Sequence, residues 1–335
     1  MDHVNERQTT TRYELPMRHF ATLDAMRGLA AIFVMLWHAA RHPLVPQSGY
    51  LAVDVFFGLS GFVMAMSYEQ RIREGLSPLN FMLLRIARLW PMVIVGALLT
   101  LLLPASWPWT VFLIPDLRPG VEKLFPLNHS FWSLLIEMLA YLGFALAGHR
   151  IGVRGLLSIM LAAAVVLGVL TSTEDTLLRS YGANRDTVIG GIARAGFAFP
   201  CGVLMYRWRH AQGMPQVTTR LAWIIPLAMV TLLYAIPRQG NSEGLLAMLI
   251  VIPSLLWLAT GLELPEVRAA GWLAALSYPL YCIHMPLLLI ASQLEMPLVP
   301  VLVALVGLSW LLDRYVDQPV RRWVRGLTEN RLRAA

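Results

Sequence analysis

The stretch Leu23–Arg41, LDAMRGLAAIFVMLWHAAR, decides the fold. It is apolar enough to cross a bilayer, yet it contains two groups that a membrane span avoids, Arg27 and His38. They are eleven residues apart, about three helical turns, so they lie nearly in line on one face with a rise of ~16 Å between them. Ionisable side chains at membrane depth are costly and usually face a protein interior or a water-filled cavity, which makes each a candidate for function. The plainer alternative has Arg27 snorkelling to the near interface and His38 to the far one.

Working outward, the rest of the chain has the same character. Of 335 residues, 57% are hydrophobic and 14% charged, where a soluble domain carries about 25% charged residues. The composition predicts an all-α, polytopic membrane bundle of about ten transmembrane helices, at roughly 23–40, 51–68, 82–103, 131–148, 155–172, 188–206, 221–236, 245–261, 270–291 and 297–313. With the N-terminus inside, the inner segments hold nineteen of the 27 Lys and Arg and the outer segments six, leaving Arg27 and Arg194 within spans. This bias predicts that both termini are cytoplasmic. It also explains the net charge of +7 by basic inner loops beside a lipid bilayer, with no nucleic acid as partner. The expected organisation is a cytoplasmic tail over 1–20, one membrane domain over 21–323 and a second cytoplasmic tail over 324–335. The first twenty residues lack the apolar core and cleavage site of a signal peptide. Cys201 and Cys282 fall in apolar runs and give neither a disulfide framework nor metal-ligand spacing. The longest outer connection, 104–130, is rich in Trp and Pro and is expected to be interfacial and partly re-entrant.

The groups suited to chemistry are few. The second span places Asp54 near its outer end, followed by Gly58, Ser60 and Gly61. The glycines suit close helix packing, and a broken helix lining a cavity is the alternative. Arg85 and Arg88 are three apart and share a face at the inner boundary. They are either membrane anchors or a phosphate clamp. Ser133 and Glu137 share a face of the fourth span, and Glu137 lies about two turns into the membrane, where a carboxylate needs a partner. His38 at similar depth, or Arg194 in the sixth span, are the two candidates. In the ninth span Tyr278, Tyr281 and His284 share a face beside Pro279 and Pro286, which bend the helix and free carbonyls. Sorted by depth, Arg27, Arg85 and Arg88 lie inside, and His38, Asp54, Glu137 and His284 lie towards the outside. A cationic inner mouth and an acid–base outer site fit a phosphate-bearing donor inside and an acceptor outside.

LDAMRGLAA with Arg27 and His38, DVFFGLSGF (Asp54–Phe62), Arg85-x-x-Arg88, FWSLLIE ending at Glu137, LSYPLYCIHMPL (Leu276–Leu287) and the closing DQPVRR (Asp317–Arg322) together resemble the acyltransferase 3 family of integral membrane acyltransferases. The resemblance runs from about residue 20 to 323. It implies transfer of an acyl group, usually acetyl, from cytoplasmic acyl-CoA to a hydroxyl of a carbohydrate such as exopolysaccharide, O-antigen or another cell-envelope glycan, in a bacterial inner membrane, with polysaccharide-assembly proteins as possible partners. It associates Arg27, His38, Arg85, Arg88 and Glu137 with activity. Many relatives carry a fused extracellular SGNH hydrolase-like domain; this chain is expected to lack one.

The mechanism this implies has acetyl-CoA phosphates on Arg85, Arg88 and Arg27, and His38 as general base or as acyl carrier. Glu137 would orient the imidazole as a triad carboxylate does. Ser60, Ser133 or Tyr281 would steady the oxyanion, with Asp54, Tyr278 and His284 as further substrate or support residues, and no metal. The rival classes are a secondary transporter or flippase, which shares intramembrane charges and proline-broken helices, and a non-catalytic scaffold of a polysaccharide synthase.

Overall fold

The structure, a computed structural model, describes residues 20–39, 45–173, 178–265 and 268–323. The predicted tails (Phe20 excepted) and the outer charge Arg41 lie outside these residues. Among the described residues, ten helical rods follow one another: α1 (Ala21–His38), α2 (Ala52–Arg73), α3 (Pro78–Thr100), α4 (Phe131–Gly148), α5 (Val153–Thr173), α6 (Val188–Ala211), α7 (Arg220–Ala235), α8 (Asn241–Ala259), α9 (Arg268–Gln293) and α10 (Leu298–Trp323). Each coincides with one predicted span to within a few residues at most ends. Eight are long and apolar enough to cross a membrane; α1, which holds Asp24 and Arg27, and the shorter α7 complete the set. Among the described residues the strands are two dipeptides, β1 (Val217–Thr218) and β2 (Leu262–Glu263), paired in parallel.

Local chemistry sets the helix ends. At α3, the Ser77 hydroxyl accepts the Asn80 N–H and Pro78 occupies the first turn, where a missing N–H is harmless. At α1 the cap comes from far along the chain. The Glu263 carboxylate accepts the Ala21 N–H, while the Thr22 hydroxyl donates to the Leu262 carbonyl and accepts from the Leu264 N–H. The first of these bonds occupies a backbone donor that a helix start leaves open and sets an anionic group against its positive end; the other two tie that start to the 262–264 segment.

Three of the packed helix pairs run in the same direction. In α2 and α6, Asp54 meets Arg194 at one end and Glu69 meets Arg207 at the other, at 2.8 and 2.9 Å. Between these ion pairs, Gly61 lies against the Phe199 carbonyl and Gly202 against the Gly58 carbonyl, so closely that an added Cβ would overlap backbone. Glycine permits that approach. The packing role predicted for Gly58 and Gly61 is therefore the observed one, and α2 continues unbroken for 22 residues. In α1 and α9, Arg27 reaches the Ala274 carbonyl at 3.4 Å and His38 faces His284. In α3 and α9, the Tyr278 hydroxyl donates to the Leu89 carbonyl at 2.6 Å.

Pro279 and Pro286 do not break α9, which runs 26 residues. Pro286 has no N–H for the Cys282 carbonyl four residues back. The Asn128 amide takes that place at 2.9 Å, so the freed acceptor is satisfied by a neighbouring segment. Asn128 ends the long connection 104–130, which folds as a layer tied to 182–187. Asp116 N–H donates to the Leu124 carbonyl, and Leu124 N–H to that of Ala183. The layer exposes Trp109, Phe112, Ile114 and Leu117. Hydrogen bonds from Arg118 hold the Asp116 carboxyl below its ordinary range. Burial, reinforced by the Lys123 ammonium at 3.0 Å, pushes His129 down to about 4.

Candidate active site

Helices α1, α2, α3, α4 and α9 enclose a cavity of about 190 Å³. Arg27, Arg85 and Arg88 line it at one end and Ser133 and Tyr281 at the other, with Ser60, Glu137 and Tyr141 between them. Each arginine is held differently. Arg85 donates to the Tyr68 hydroxyl and lies 4.3 Å above that ring. Arg88 pairs with Asp317 at 3.2 Å and lies 5.3 Å above Tyr278. Arg27 pairs with Asp24 at 3.2 Å. Asp317 also takes Arg321 at 2.8 Å, which in turn reaches Asp313 at 2.7 Å, so the closing DQPVRR segment anchors the arginine end. The Nε–H groups of Arg27 and Arg85 are buried without an acceptor. A buried guanidinium donor left unmet is unfavourable.

Glu137 sits mid-cavity. One of its oxygens accepts from Ser60 at 2.5 Å and from Tyr141. The expected pairing of His38 with Glu137 is not formed. His38 is the last residue of α1, whereas Glu137 lies six residues into α4, ~9 Å deeper along the helix axis. The alternative partner, Arg194, is also engaged elsewhere. It donates to both oxygens of Asp54, at 3.1 and 2.8 Å, and to the carbonyls of Tyr50 and Tyr181. Asp54 is thus a structural group in a fully buried ion pair and does not line the cavity. The expected outer acid–base cluster of His38, Asp54, Glu137 and His284 separates into an imidazole pair, a cavity carboxylate and a helix-locking ion pair.

The imidazole pair lies beyond the far end of the cavity. His38 Nδ1 is 2.9 Å from the Val34 carbonyl and 3.2 Å from His284 Nε2. His284 is fully buried, with Nδ1 2.9 Å from the Leu280 carbonyl and Nε2 3.2 Å from Ser130 Oγ. The Tyr281 hydroxyl touches Ser133 and donates to the Ser130 carbonyl at 3.2 Å, which links the cavity wall to the residue that contacts His284. Tyr278 and Tyr281 both line the cavity, as their shared helix face predicts, and Ser60 and Ser133 do as well.

Ser130, Asn128, Tyr141, Tyr68 and the Arg88 partnership with Asp317 were not anticipated from sequence. Tyr141 had a local signal, since it stands four residues after Glu137 and so shares its face. Ser130 had none, because its partner lies 154 residues away.

The acyltransferase domain family matches residues 20–313 of the chain. Among curated proteins, the chain is 26% identical over 275 residues to the exopolysaccharide production protein ExoZ of Rhizobium meliloti, covering 75% of this chain and 80% of that protein. It is 43% identical over 83 residues to protein 2 in the picA locus of Rhizobium radiobacter, covering 24% of this chain and 44% of that protein. It thus spans less than half of the latter relative. No solved structure matches.

Proposed function

The chain belongs to the acyltransferase family that matches residues 20–313, and on that premise we propose that it moves an acyl group, acetyl in the first instance, from cytoplasmic acyl-CoA to a hydroxyl of an exopolysaccharide or related cell-envelope glycan. The membrane is the inner membrane of a bacterium, and the arginine end of the bundle faces the cytoplasm. The observation that carries this reading is the cavity, with three guanidinium groups at one end and a row of hydroxyls leading to an imidazole pair at the other. The name of the ExoZ relative favours an exopolysaccharide as acceptor.

In this reading Arg27, Arg85 and Arg88 bind the donor's phosphates, for which guanidinium forks are suited. His38 takes the acceptor's hydroxyl proton, a role suited to an imidazole at neutral pH. The Tyr281 and Ser133 hydroxyls stand where the cavity meets the imidazole pair, and on substrate binding one of them turns from the Ser130 carbonyl to steady the oxyanion. Glu137 holds the Ser60 and Tyr141 hydroxyls in one orientation through the oxygen they share.

The test is turnover of labelled acetyl-CoA by purified protein with a deacylated glycan acceptor. Wild type transfers label, and His38→Ala at equal yield is at least about 100-fold slower. Binding of the glycan without any turnover of acetyl-CoA would favour the transporter class instead.

A further inference from the structure

From the hydrogen bonds around the imidazole pair, we infer that His284 is a positioning residue: a neutral imidazole that takes the place a carboxylate has in a catalytic triad. The inference rests on the reading of His38 as the base. A carbonyl only accepts, so a ring nitrogen facing one carries the proton. The Leu280 carbonyl, 2.9 Å from His284 Nδ1, places that proton on Nδ1 and leaves Nε2 as an acceptor. Two donors converge on Nε2, each at 3.2 Å: Ser130 Oγ–H and His38 Nδ1–H. The Val34 carbonyl requires the same assignment at His38, with the proton on Nδ1. One pair of tautomers, with both rings neutral, accounts for all four contacts, the single His38 Nδ1–H being shared in a three-centre bond between the Val34 carbonyl at 2.9 Å and His284 Nε2 at 3.2 Å. The nitrogen left with a lone pair is His38 Nε2, which makes no hydrogen bond to the described residues, while its ring is half-buried.

The sequence pattern supplies both halves of this arrangement. Each histidine bonds the carbonyl four residues before it in its own helix, which holds each ring against its helix. Because α1 and α9 run in the same direction, the two rings meet edge to edge near the same end, with centroids 5.1 Å apart. Ser130, just before the start of α4, meets the second ring at the same Nε2.

The step this geometry serves balances as follows. The acceptor oxygen forms a bond to the acyl carbon, and its proton passes to His38 Nε2. The carbon–sulfur bond of the thioester breaks, and the thiolate takes the proton from Nε2. While His38 carries two protons, its Nδ1–H faces the lone pair of His284 Nε2 as well as the Val34 carbonyl, and these two acceptors stabilise the imidazolium. A carboxylate in that position would leave an uncompensated buried charge between turnovers. A neutral imidazole does not.

The experiment compares His284→Leu, which keeps volume and loses the acceptor, with His284→Gln, whose side-chain oxygen can occupy the Nε2 position, in the full-length protein. The readouts are kcat, KM for acetyl-CoA and melting temperature, with His38→Ala as reference. His284→Leu is expected to lower kcat by about 100-fold with KM changed by less than about twofold, and His284→Gln to recover kcat to within about tenfold of wild type. Equal loss in both variants, or a loss that follows melting temperature and KM, would make His284 a packing residue and overturn the inference. If His284→Leu does not accumulate, His284→Asn replaces it. Its shorter side chain cannot reach the Nε2 position, so Asn must fall below Gln, and equal rates overturn the inference. Wild-type activity in His38→Ala would remove the base and this inference with it. An inactive His38→Ala beside a fully active His284→Leu would remove the positioning role alone.

Discussion

At the scale of single residues, partner choice decides what each ionisable group does. Asp54 and Arg194 are both about 1% exposed and have both oxygens and three guanidinium nitrogens engaged. Breaking such a pair leaves one buried charge uncompensated, which is worse than having neither. Asp54→Asn is therefore expected to lower stability by about 3–5 kcal/mol, and the double variant Asp54→Leu with Arg194→Leu to recover part of it. Thermal unfolding in detergent measures this, and a double variant less stable than Asp54→Asn would contradict it. The sequence made all these residues visible as anomalies in apolar runs. It did not reveal the pairings that join different helices: Asp54 to Arg194, Arg88 to Asp317, His38 to His284. Depth counted from predicted span ends is good to a turn at best, and the distance between His38 and Glu137 is of that order.

At the scale of elements, the helices were legible because apolar runs of this length have few other solutions. The glycine packing of α2 on α6 was legible as a type of contact, though not as that particular partnership. Gly61→Ala is expected to cost about 1–3 kcal/mol, because the rigid Phe199 backbone cannot make room. Gly168→Ala on α5 meets nothing and should be neutral. Equal melting temperatures for the two variants would contradict the close approach.

The 104–130 layer was anticipated as interfacial, but its role in delivering Asn128 and Ser130 to α9 was not, since loop conformation has no periodic signal. Its stability carries a pH dependence. Folded His129 titrates at about 4 against 6.5 for the free side chain, so the unfolded layer binds a proton that the folded layer refuses. Its stability therefore falls as pH drops from about 6.5 to 4 and levels off below that. Asp116 acts in the same sense at lower pH. Its carboxylate is held below its ordinary pKa by Arg118, so its contribution persists above about 4 and is lost only in stronger acid. Protease cleavage in this layer is expected to rise between pH 6.5 and 4.5 in wild type and to stay flat in His129→Gln. The same rise in both would assign it to another group.

At the scale of the whole molecule, parallel helix pairs create the site. Because α1, α3 and α9 run in the same direction, arginines near the starts of α1 and α3 gather at one end, and histidines late in α1 and α9 gather at the other. Five motifs scattered over the chain thereby become one cavity with two chemically different ends. That polarity was visible in the sequence as a sorting of charge by depth. The cavity itself was not, because it depends on which helices are neighbours.

The central claim is that donor and acceptor meet from opposite ends of this cavity. The most direct measurement uses sealed proteoliposomes of uniform orientation, with labelled acetyl-CoA on one side and an impermeant glycan acceptor on the other. The account predicts acylated glycan only when acetyl-CoA is on the side of the α3 start, where Arg85 and Arg88 lie, and glycan is on the side of His38. Transfer that proceeds equally with both substrates on one side, or with their positions exchanged, would contradict it.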